Sequence, residues 1–251
     1  MRIRTAAIVL GTAAALSALV VPSANADEAQ GDTAITKVVV NGGKPIIVGT
    51  ADKTFSYTIS GSDSSGLAYG GAFLWRGTSL DAPSGAAGFG ETETCSATAC
   101  TVTAKVSPKL DELPSSQAGT WNVLAELDGK DGDIRELDKA TTIKVLRGSH
   151  LTVNATPEPV KKGKTITVTG TLTRANWDTL KYGGYGSQSV QLQFRKKGAT
   201  TYTTVKTVKS ASTGALKTTV TASVDGYWRF AFGTNATTGG TAATADYVDV
   251  Q

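Results

Sequence analysis

The feature that most restricts the fold of this chain is a repeated alternation of apolar and polar side chains. Ile166 and Val168 are apolar, and Thr occupies every odd position from 165 to 173. The same period of two recurs from 228 to 232. Successive strand residues point to opposite faces, so the pattern predicts half-buried β-strands, which β-branched Thr favours. Apolar residues at helical spacing are almost absent, and the sequence therefore predicts an all-β protein.

Seven such segments follow one another in the second half of the chain. They are 151–155, 164–173, 190–194, 202–208, 216–224, 228–232 and 248–250. Seven short strands separated by turns are typical of an immunoglobulin-like (Ig-like) antiparallel β-sandwich. The first half repeats this plan with less regular alternation, in segments such as 35–40, 55–59, 101–106, 121–127 and 143–145.

Charge divides the chain between Arg147 and Gly148. Residues 27–147 hold 11 Lys/Arg and 16 Asp/Glu, a net charge of −5, whereas residues 148–251 hold 12 and 5, a net charge of +7. A change of sign at one point indicates separate modules. We predict two tandem Ig-like sandwiches, an acidic one at 27–147 and a basic one at 148–251. The basic residues are spread along the sequence, which favours a solvated surface over a polyanion site, and no nucleic-acid partner is expected.

Residues 1–26 have the pattern of a cleaved signal peptide. Arg2 and Arg4 precede an uncharged apolar run from 6 to 21, and Ala24-Asn25-Ala26 supplies the small residues before a cleavage site. The run is too short and too Ala-rich for a membrane span, which needs about 20 strongly apolar residues. The sequence thus predicts a secreted, extracellular protein without a membrane span.

Cys95 and Cys100 are the only cysteines of the chain. An even number of cysteines in an exported protein predicts a disulfide, which here would close a tight turn. The alternative is a zinc site, which would need two further ligands, and His150 is the only imidazole.

Two short stretches suggest a family. The segment 159–170, Pro-Val-Lys-Lys-Gly-Lys-Thr-Ile-Thr-Val-Thr-Gly, looks like the opening strands of bacterial Ig-like domains, and Asp-Gly-Tyr-Trp at 225–228 looks like their corner before the sixth strand. With the leader, the chain resembles secreted actinobacterial proteins that carry tandem Ig-like β-sandwiches, most of them without an assigned function. The resemblance implies no catalytic residue, and some such proteins carry a loose calcium-binding label.

Groups suited to catalysis are scarce. His150 is the only histidine and falls at the predicted domain joint, and no Ser lies in a Gly-x-Ser-x-Gly motif. We therefore predict a non-catalytic protein that requires no cofactor, with Ca²⁺ as the one candidate ion.

The Ca²⁺ candidate is an acidic segment that contains Asp128, Asp131 and Asp133, because hard cations bind several oxygen ligands of a flexible loop. Lys130 stands where an EF-hand loop would place a carboxylate. Asp-Gly at a hairpin tip is the simpler interpretation. A second acidic turn at 63–66 gives a weaker signal of the same kind.

The segment 176–185 predicts a loop with three aromatic side chains, Trp177, Tyr182 and Tyr185. Exposed rings beside polar groups stack on sugars or anchor a protein partner. The alternative is that Trp177 folds back and covers one end of the sandwich.

These observations favour a secreted, non-catalytic Ig-like protein that binds a cell-wall polymer, a carbohydrate or an extracellular protein. Two alternatives stay open. One is a calcium-binding extracellular module. The other is an inhibitor of extracellular hydrolases that inserts the turn between Cys95 and Cys100 into an enzyme cleft.

Overall fold

The computed structural model describes residues 27–111 and 113–251, so the predicted signal peptide lies outside the described residues. The only helical pieces in these residues are two single 3₁₀ turns, Asn41–Gly43 and Ser115–Gln117. All other regular structure is β-strand, which confirms the all-β prediction. No helix in the described part of the chain has the length and hydropathy to cross a membrane.

The strands before residue 148 form two facing sheets. They are β1 (Ala29–Gln30), β2 (Ala34–Val40), β3 (Ile46–Val48), β4 (Lys53–Ser62), β5 (Leu67–Arg76), β6 (Gly85–Thr92), β7 (Ala99–Val106), β8 (Gly119–Gly129) and β9 (Ile134–Arg147). One sheet has the order β1-β9-β8-β5-β6, with β3 parallel to β9, and the other has the order β2-β4-β7.

Alternation explains how these sheets build their core. In β7, Cys100, Val102 and Ala104 are buried, while the residues between them are exposed. Tyr57 of β4 is fully buried, and its hydroxyl donates a 2.8 Å hydrogen bond to the Gly88 carbonyl of the facing sheet. The two layers are therefore joined by apolar packing and by one buried polar contact.

The strands after residue 148 form a second pair of sheets. They are β10 (Ser149–Leu151), β11 (Asn154–Thr156), β12 (Thr165–Asn176), β13 (Lys181–Gly184), β14 (Ser189–Lys196), β15 (Thr203–Lys209), β16 (Ala215–Thr221), β17 (Gly226–Phe232), β18 (Thr241–Ala242) and β19 (Asp246–Val248). Strand β12 pairs with β10, β11, β13 and β16, while the other sheet has the order β15-β14-β17-β18 with β19 also on β17.

The second core forms without a cysteine. Trp228, Phe230 and Phe232 of β17 point inward and are buried, whereas Tyr227 and Arg229 lie on the outer face. The prediction of two tandem Ig-like antiparallel sandwiches is confirmed by this layering. The strands named above pair within their own half of the chain. That pairing supports the boundary between 147 and 148, which stays a proposal.

Candidate functional site

The segment 176–185 is a hairpin turn rather than the loop expected from the sequence. Strand β12 ends at Asn176, β13 begins at Lys181, and these two residues are partners in the antiparallel register. Only 177–180 lies between the strands, and Leu180 adopts a left-handed backbone with φ of 53°. The sequence missed β13 because two glycines and no apolar alternation mark its residues.

Trp177 is buried at this turn, which corrects the expectation of an exposed ring. Its side chain is 2% exposed and packs into the hydrophobic core of the first sandwich, together with Ala175 of β12. The indole Nε1 donates a 3.1 Å hydrogen bond to the carbonyl oxygen of Val48. Trp177 thus covers an end of a sandwich, as the alternative interpretation held, and the sandwich it covers is the first one.

Polar contacts hold the turn against the first sandwich. The hydroxyl of Ser115 accepts a 2.9 Å hydrogen bond from the backbone N–H of Trp177. The backbone N–H of Ser115 lies 3.3 Å from both carboxylate oxygens of Asp178. Hydrogen bonds from the Ser115 side chain and from its backbone N–H stabilise the ionised form of Asp178 and hold its pKa below the usual value.

Tyr182 lies on the joint between the two sandwiches. A Cβ atom added to Gly49 or to Gly148 would lie 2.8 Å or 3.0 Å from the Tyr182 hydroxyl oxygen, so the glycines leave room for it. The ring of His150 lies 4.1 Å from the ring of Tyr182. The predicted ligand-binding side chain and the only histidine are therefore neighbours at the joint.

Tyr185 is directed toward its own sandwich. Its hydroxyl oxygen accepts a 2.9 Å hydrogen bond from the amide of Asn235, and the Arg174 guanidinium lies 4.0 Å from the centre of its ring. Trp177, Tyr182 and Tyr185 therefore belong to one hairpin but do not form one exposed aromatic face. Their role in ligand binding stays a prediction.

A shallow groove of about 380 Å³ opens beside the buried indole. It is lined by Pro108, Lys109, Leu113, Pro114, Trp177, Asp178 and Leu180. Leu180 on the rim is 37% exposed, and Leu110 in the facing loop is 70% exposed. The hairpin thus offers a mainly apolar groove between the two sandwiches instead of a projecting aromatic loop.

Three carboxylates from distant parts of the sequence meet near the tip of the β8–β9 hairpin. Ligand oxygens of Asp32, Asp63 and Asp133 lie within 4.8 Å of one another. Asp133 belongs to the acidic segment singled out in the sequence, and Asp63 belongs to the second acidic turn. The Ser65 and Thr33 hydroxyls donate hydrogen bonds to Asp63, which keep the pKa of its carboxyl below the usual value.

The other two acidic residues of that segment occupy different positions. A Cβ atom added to Gly129 would lie 2.2 Å from Oδ2 of Asp63 and 2.8 Å from Oδ1 of Asp131, so Asp131 borders the group. Asp128 is on β8, close to Glu126, where burial raises the pKa of its carboxyl. The structure therefore joins Asp133 to Asp32 and Asp63, while Asp128 lies elsewhere.

The predicted disulfide between Cys95 and Cys100 is present and leaves no free cysteine in the described residues. Cys100 is fully buried in the first core, and the turn 96–99 is mostly exposed. The bridge therefore fastens the start of β7 next to an accessible turn.

A surface that the sequence analysis missed covers the outer face of the sheet formed by β14, β15, β17 and β19. The Arg195 guanidinium lies 4.2 Å from the ring centre of Tyr227 and 5.2 Å from that of Tyr202. The Arg229 guanidinium lies 3.7 Å from the centre of the Tyr202 ring, so both arginines contact this tyrosine. The ring of Tyr247 contacts that of Tyr227 in a tilted arrangement, with 5.1 Å between the ring centres. We call Arg195, Arg229, Tyr202, Tyr227 and Tyr247 the Arg–Tyr ladder.

No family model and no curated protein sequence matches the chain. Among solved structures it is similar to a chimeric titin Z1Z2 functionalized with a KLER exogenous peptide from decorin, at 11% identity over 90% of this chain and 98% of that one, with a TM-score of 0.25. The D00-D0 domain of intimin has 12% identity, coverages of 84% and 98%, and a TM-score of 0.28. The Yersinia pseudotuberculosis adhesin InvE has 16% identity, coverages of 84% and 58%, and a TM-score of 0.27. At such TM-scores the fold assignment rests on the strand pairing described above.

Proposed function

We propose that this chain is a secreted, non-catalytic binding protein that recognises an extracellular protein through the groove at the joint of its two sandwiches. The observation that carries the proposal is the apolar lining of the groove, in which the partly exposed Leu180 lies beside the buried Trp177. Leu110, which is 70% exposed, directly follows the lining residue Lys109 in the facing loop. Apolar side chains that converge on a groove are typical anchor positions of protein interfaces.

The lining of the groove favours a protein over a sugar as its occupant. Two prolines and two leucines line the groove around Trp177, and among the described lining residues only Lys109 and Asp178 carry a charge. An inserted apolar side chain would gain roughly 25 cal/mol for each Å² of apolar surface removed from water. Sugar hydroxyls would find few hydrogen-bond partners there, because the indole N–H already bonds to Val48.

Capture experiments with matched variants test this proposal. Residues 27–251 are immobilised and incubated with culture fluid and cell-wall extract, and the same is done with Leu110→Asp and Leu180→Asp. Aspartate tolerates the left-handed backbone at Leu180, so the turn is retained. Val205→Asp is the control, because Val205 is 47% exposed on strand β15, away from the groove.

We expect one protein to be captured by the wild type and by Val205→Asp, and to be lost in both leucine variants. Equal capture by all four proteins would contradict recognition through the groove. If the only material lost in both leucine variants is a carbohydrate, the partner is a wall polymer and not a protein.

Calcium binding is a second candidate function, favoured by the convergence of Asp32, Asp63 and Asp133 within 4.8 Å. A hard cation in this group would be held by carboxylate oxygens from three separate turns. Its binding would tie the N-terminal segment to the tips of the β4–β5 and β8–β9 hairpins. Asp131 at the border of the group could add a further oxygen.

Calorimetric titration with CaCl₂ in the millimolar range tests this candidate. We expect heat of binding for the wild type and its loss in Asp63→Asn, with Asp128→Asn as the control because Asp128 lies outside the group. A wild type that shows no heat excludes the calcium function.

A further inference from the structure

We propose that the Arg–Tyr ladder and the polar groove beside it form a binding surface for an acidic polysaccharide, a chain of sugar rings that carries carboxylate or phosphate groups. The inference rests on the proposed extracellular role, but it concerns a different face of the molecule from the groove at the joint.

The ladder lies on the face of the sheet that points away from the core. Gln191, Gln193 and Arg195 of β14 alternate with buried or half-buried apolar residues, and they pair with Ala231, Arg229 and Tyr227 of β17. The row from Gln191 to Arg195 spans about 13 Å at the usual rise of a strand. Polar and aromatic side chains thus form a continuous strip along two central strands.

Contacts with a tyrosine ring hold the cationic groups in this strip. Tyr202 is contacted by the guanidinium groups of both Arg195 and Arg229, at 5.2 Å and 3.7 Å from its ring centre. Arg229 also donates a 2.9 Å hydrogen bond from Nε to the side-chain oxygen of Gln193. A guanidinium whose position is held by such contacts is pre-organised for bidentate hydrogen bonds to a carboxylate or phosphate.

Within the part of the chain that the structure describes, most donors of the two arginines are left for a ligand. Arg229 uses Nε toward Gln193, and Arg195 donates from one terminal nitrogen to the Ala199 carbonyl at 2.7 Å. Each guanidinium has five N–H donors. The nearby carboxylate of Asp225 is already engaged by Lys197 at 3.3 Å and by the Tyr247 hydroxyl at 3.1 Å, so it competes little for these donors.

A polar groove of about 560 Å³ continues the strip beyond Gln191. Its lining is rich in hydroxyl and amide side chains, among them Gln188, Thr207, Thr234 and Asn235. Such groups pair with sugar hydroxyls, while half-exposed tyrosine rings offer flat faces for the apolar side of a sugar ring. The Arg–Tyr ladder and the polar groove together therefore suit a polymer that carries both neutral hydroxyl groups and acidic groups.

Charge complementarity selects an anionic ligand. The half of the chain that carries the ladder has a net charge of +7, and Lys196 and Lys197 adjoin Arg195 at the end of β14. In the sequence alone, the spread of the basic residues favoured a solvated surface over a polyanion site. Strand pairing brings Arg195 next to Tyr227 and Gln193 next to Arg229, and this produces the cationic strip.

Binding of defined polymers to residues 27–251 tests the proposal. Polygalacturonate is the acidic polysaccharide, dextran is the neutral one, and polyphosphate and single-stranded DNA are polyanions without neutral sugar hydroxyl rows. We expect polygalacturonate to bind at least tenfold more tightly than the other three. Equal binding of polyphosphate or DNA would show a general polyanion surface, and equal binding of dextran would show that charge plays no role. Either result overturns the proposal. Absence of polygalacturonate binding overturns it as well.

Variants locate the site and separate it from the joint groove. Arg195→Gln and Tyr202→Ala should each weaken polygalacturonate binding about tenfold or more. Arg195→Lys keeps the charge but loses the planar guanidinium, so its affinity should lie between that of Arg195→Gln and that of the wild type. Lys217→Gln removes an exposed cation of β16 in the other sheet and should leave the affinity unchanged. Leu180→Asp should also leave it unchanged, so that loss of protein capture and loss of polysaccharide binding are independent results. A Lys217→Gln effect equal to that of Arg195→Gln would contradict the assigned surface.

Discussion

The indole of Trp177 donates its N–H to the carbonyl oxygen of Val48 across 3.1 Å, and this bond joins a hairpin of the second sandwich to strand β3 of the first. The ring is buried in the core of the first sandwich although it belongs to the sequence of the second. Nearby, the Arg147 Nε donates a 2.6 Å hydrogen bond to the Ala175 carbonyl. The joint is thus a packed interface and not a free linker.

Truncation of Trp177 should destabilise the first sandwich. Removing a large buried aromatic side chain costs about 3–5 kcal/mol, and Trp177→Ala is expected to lower the free energy of unfolding by that amount. Trp177→Phe, which keeps most of the packing and loses the bond to Val48, should cost less. Urea denaturation followed by circular dichroism measures both, and a Trp177→Ala protein as stable as the wild type would contradict the buried position.

Glu126 should make the protein less stable as the pH rises. Burial, and then the charges of Asp128 and Glu136, raise the pKa of its carboxyl from 4.5 to about 7. Glu136 is its partner in the β8–β9 register, and like charges directly opposite one another are unfavourable. Because the pKa is higher in the folded state, that state binds more protons than the unfolded one, and stability is lost as the pH rises from about 4.5 to 7.

Glu126→Gln removes this ionisation and should stabilise the protein at pH 8 by about 1–2 kcal/mol, a value reduced for the partial exposure of the side chain. At pH 4 the gain should vanish, because the wild-type carboxyl is then protonated in both states. Urea denaturation at the two pH values tests this, with Glu93→Gln, an exposed carboxylate elsewhere, as the control. An equal gain at both pH values would disagree with the assigned cause.

The disulfide between Cys95 and Cys100 should contribute modestly to stability. It closes a loop with a sequence separation of only 5, and the chain-entropy relation gives about 2 kcal/mol for a loop of this size. Reduction should therefore lower the urea midpoint of the wild type without unfolding it. The double variant Cys95→Ala/Cys100→Ala should be insensitive to reductant. If the reduced wild type is unfolded without urea, the bridge contributes more than this relation allows.

Local alternation was sufficient to predict the strands that build the cores. Alternation of apolar and polar residues alone identifies the inward and outward faces of 226–232. It also places Gln191 and Gln193 on the side opposite to Leu192. Strand β13 was missed because its residues carry no such pattern and become a strand only by pairing with β12.

The candidate sites could not be predicted in the same way, because they arise from residues far apart in sequence. The partner of the Trp177 indole, Val48, is 129 positions away, and nothing near Trp177 marks it as buried. Asp32 and Asp133 are 101 positions apart, yet the Asp32 backbone N–H bonds to the Asp133 carboxylate. The sequence identified Asp63 and Asp133 as members of acidic turns, and the fold brings those turns together.

Site-specific photo-cross-linking at and beside the joint groove tests whether an extracellular protein binds there. A photoreactive phenylalanine analogue replaces Leu110 or Leu180 in one protein each, and replaces Val205 in the control. After irradiation in culture fluid and cell-wall extract, we expect the same discrete adduct with one extracellular protein at positions 110 and 180 and none at position 205. Adducts that are absent at positions 110 and 180, or identical at all three positions, would contradict recognition through the groove.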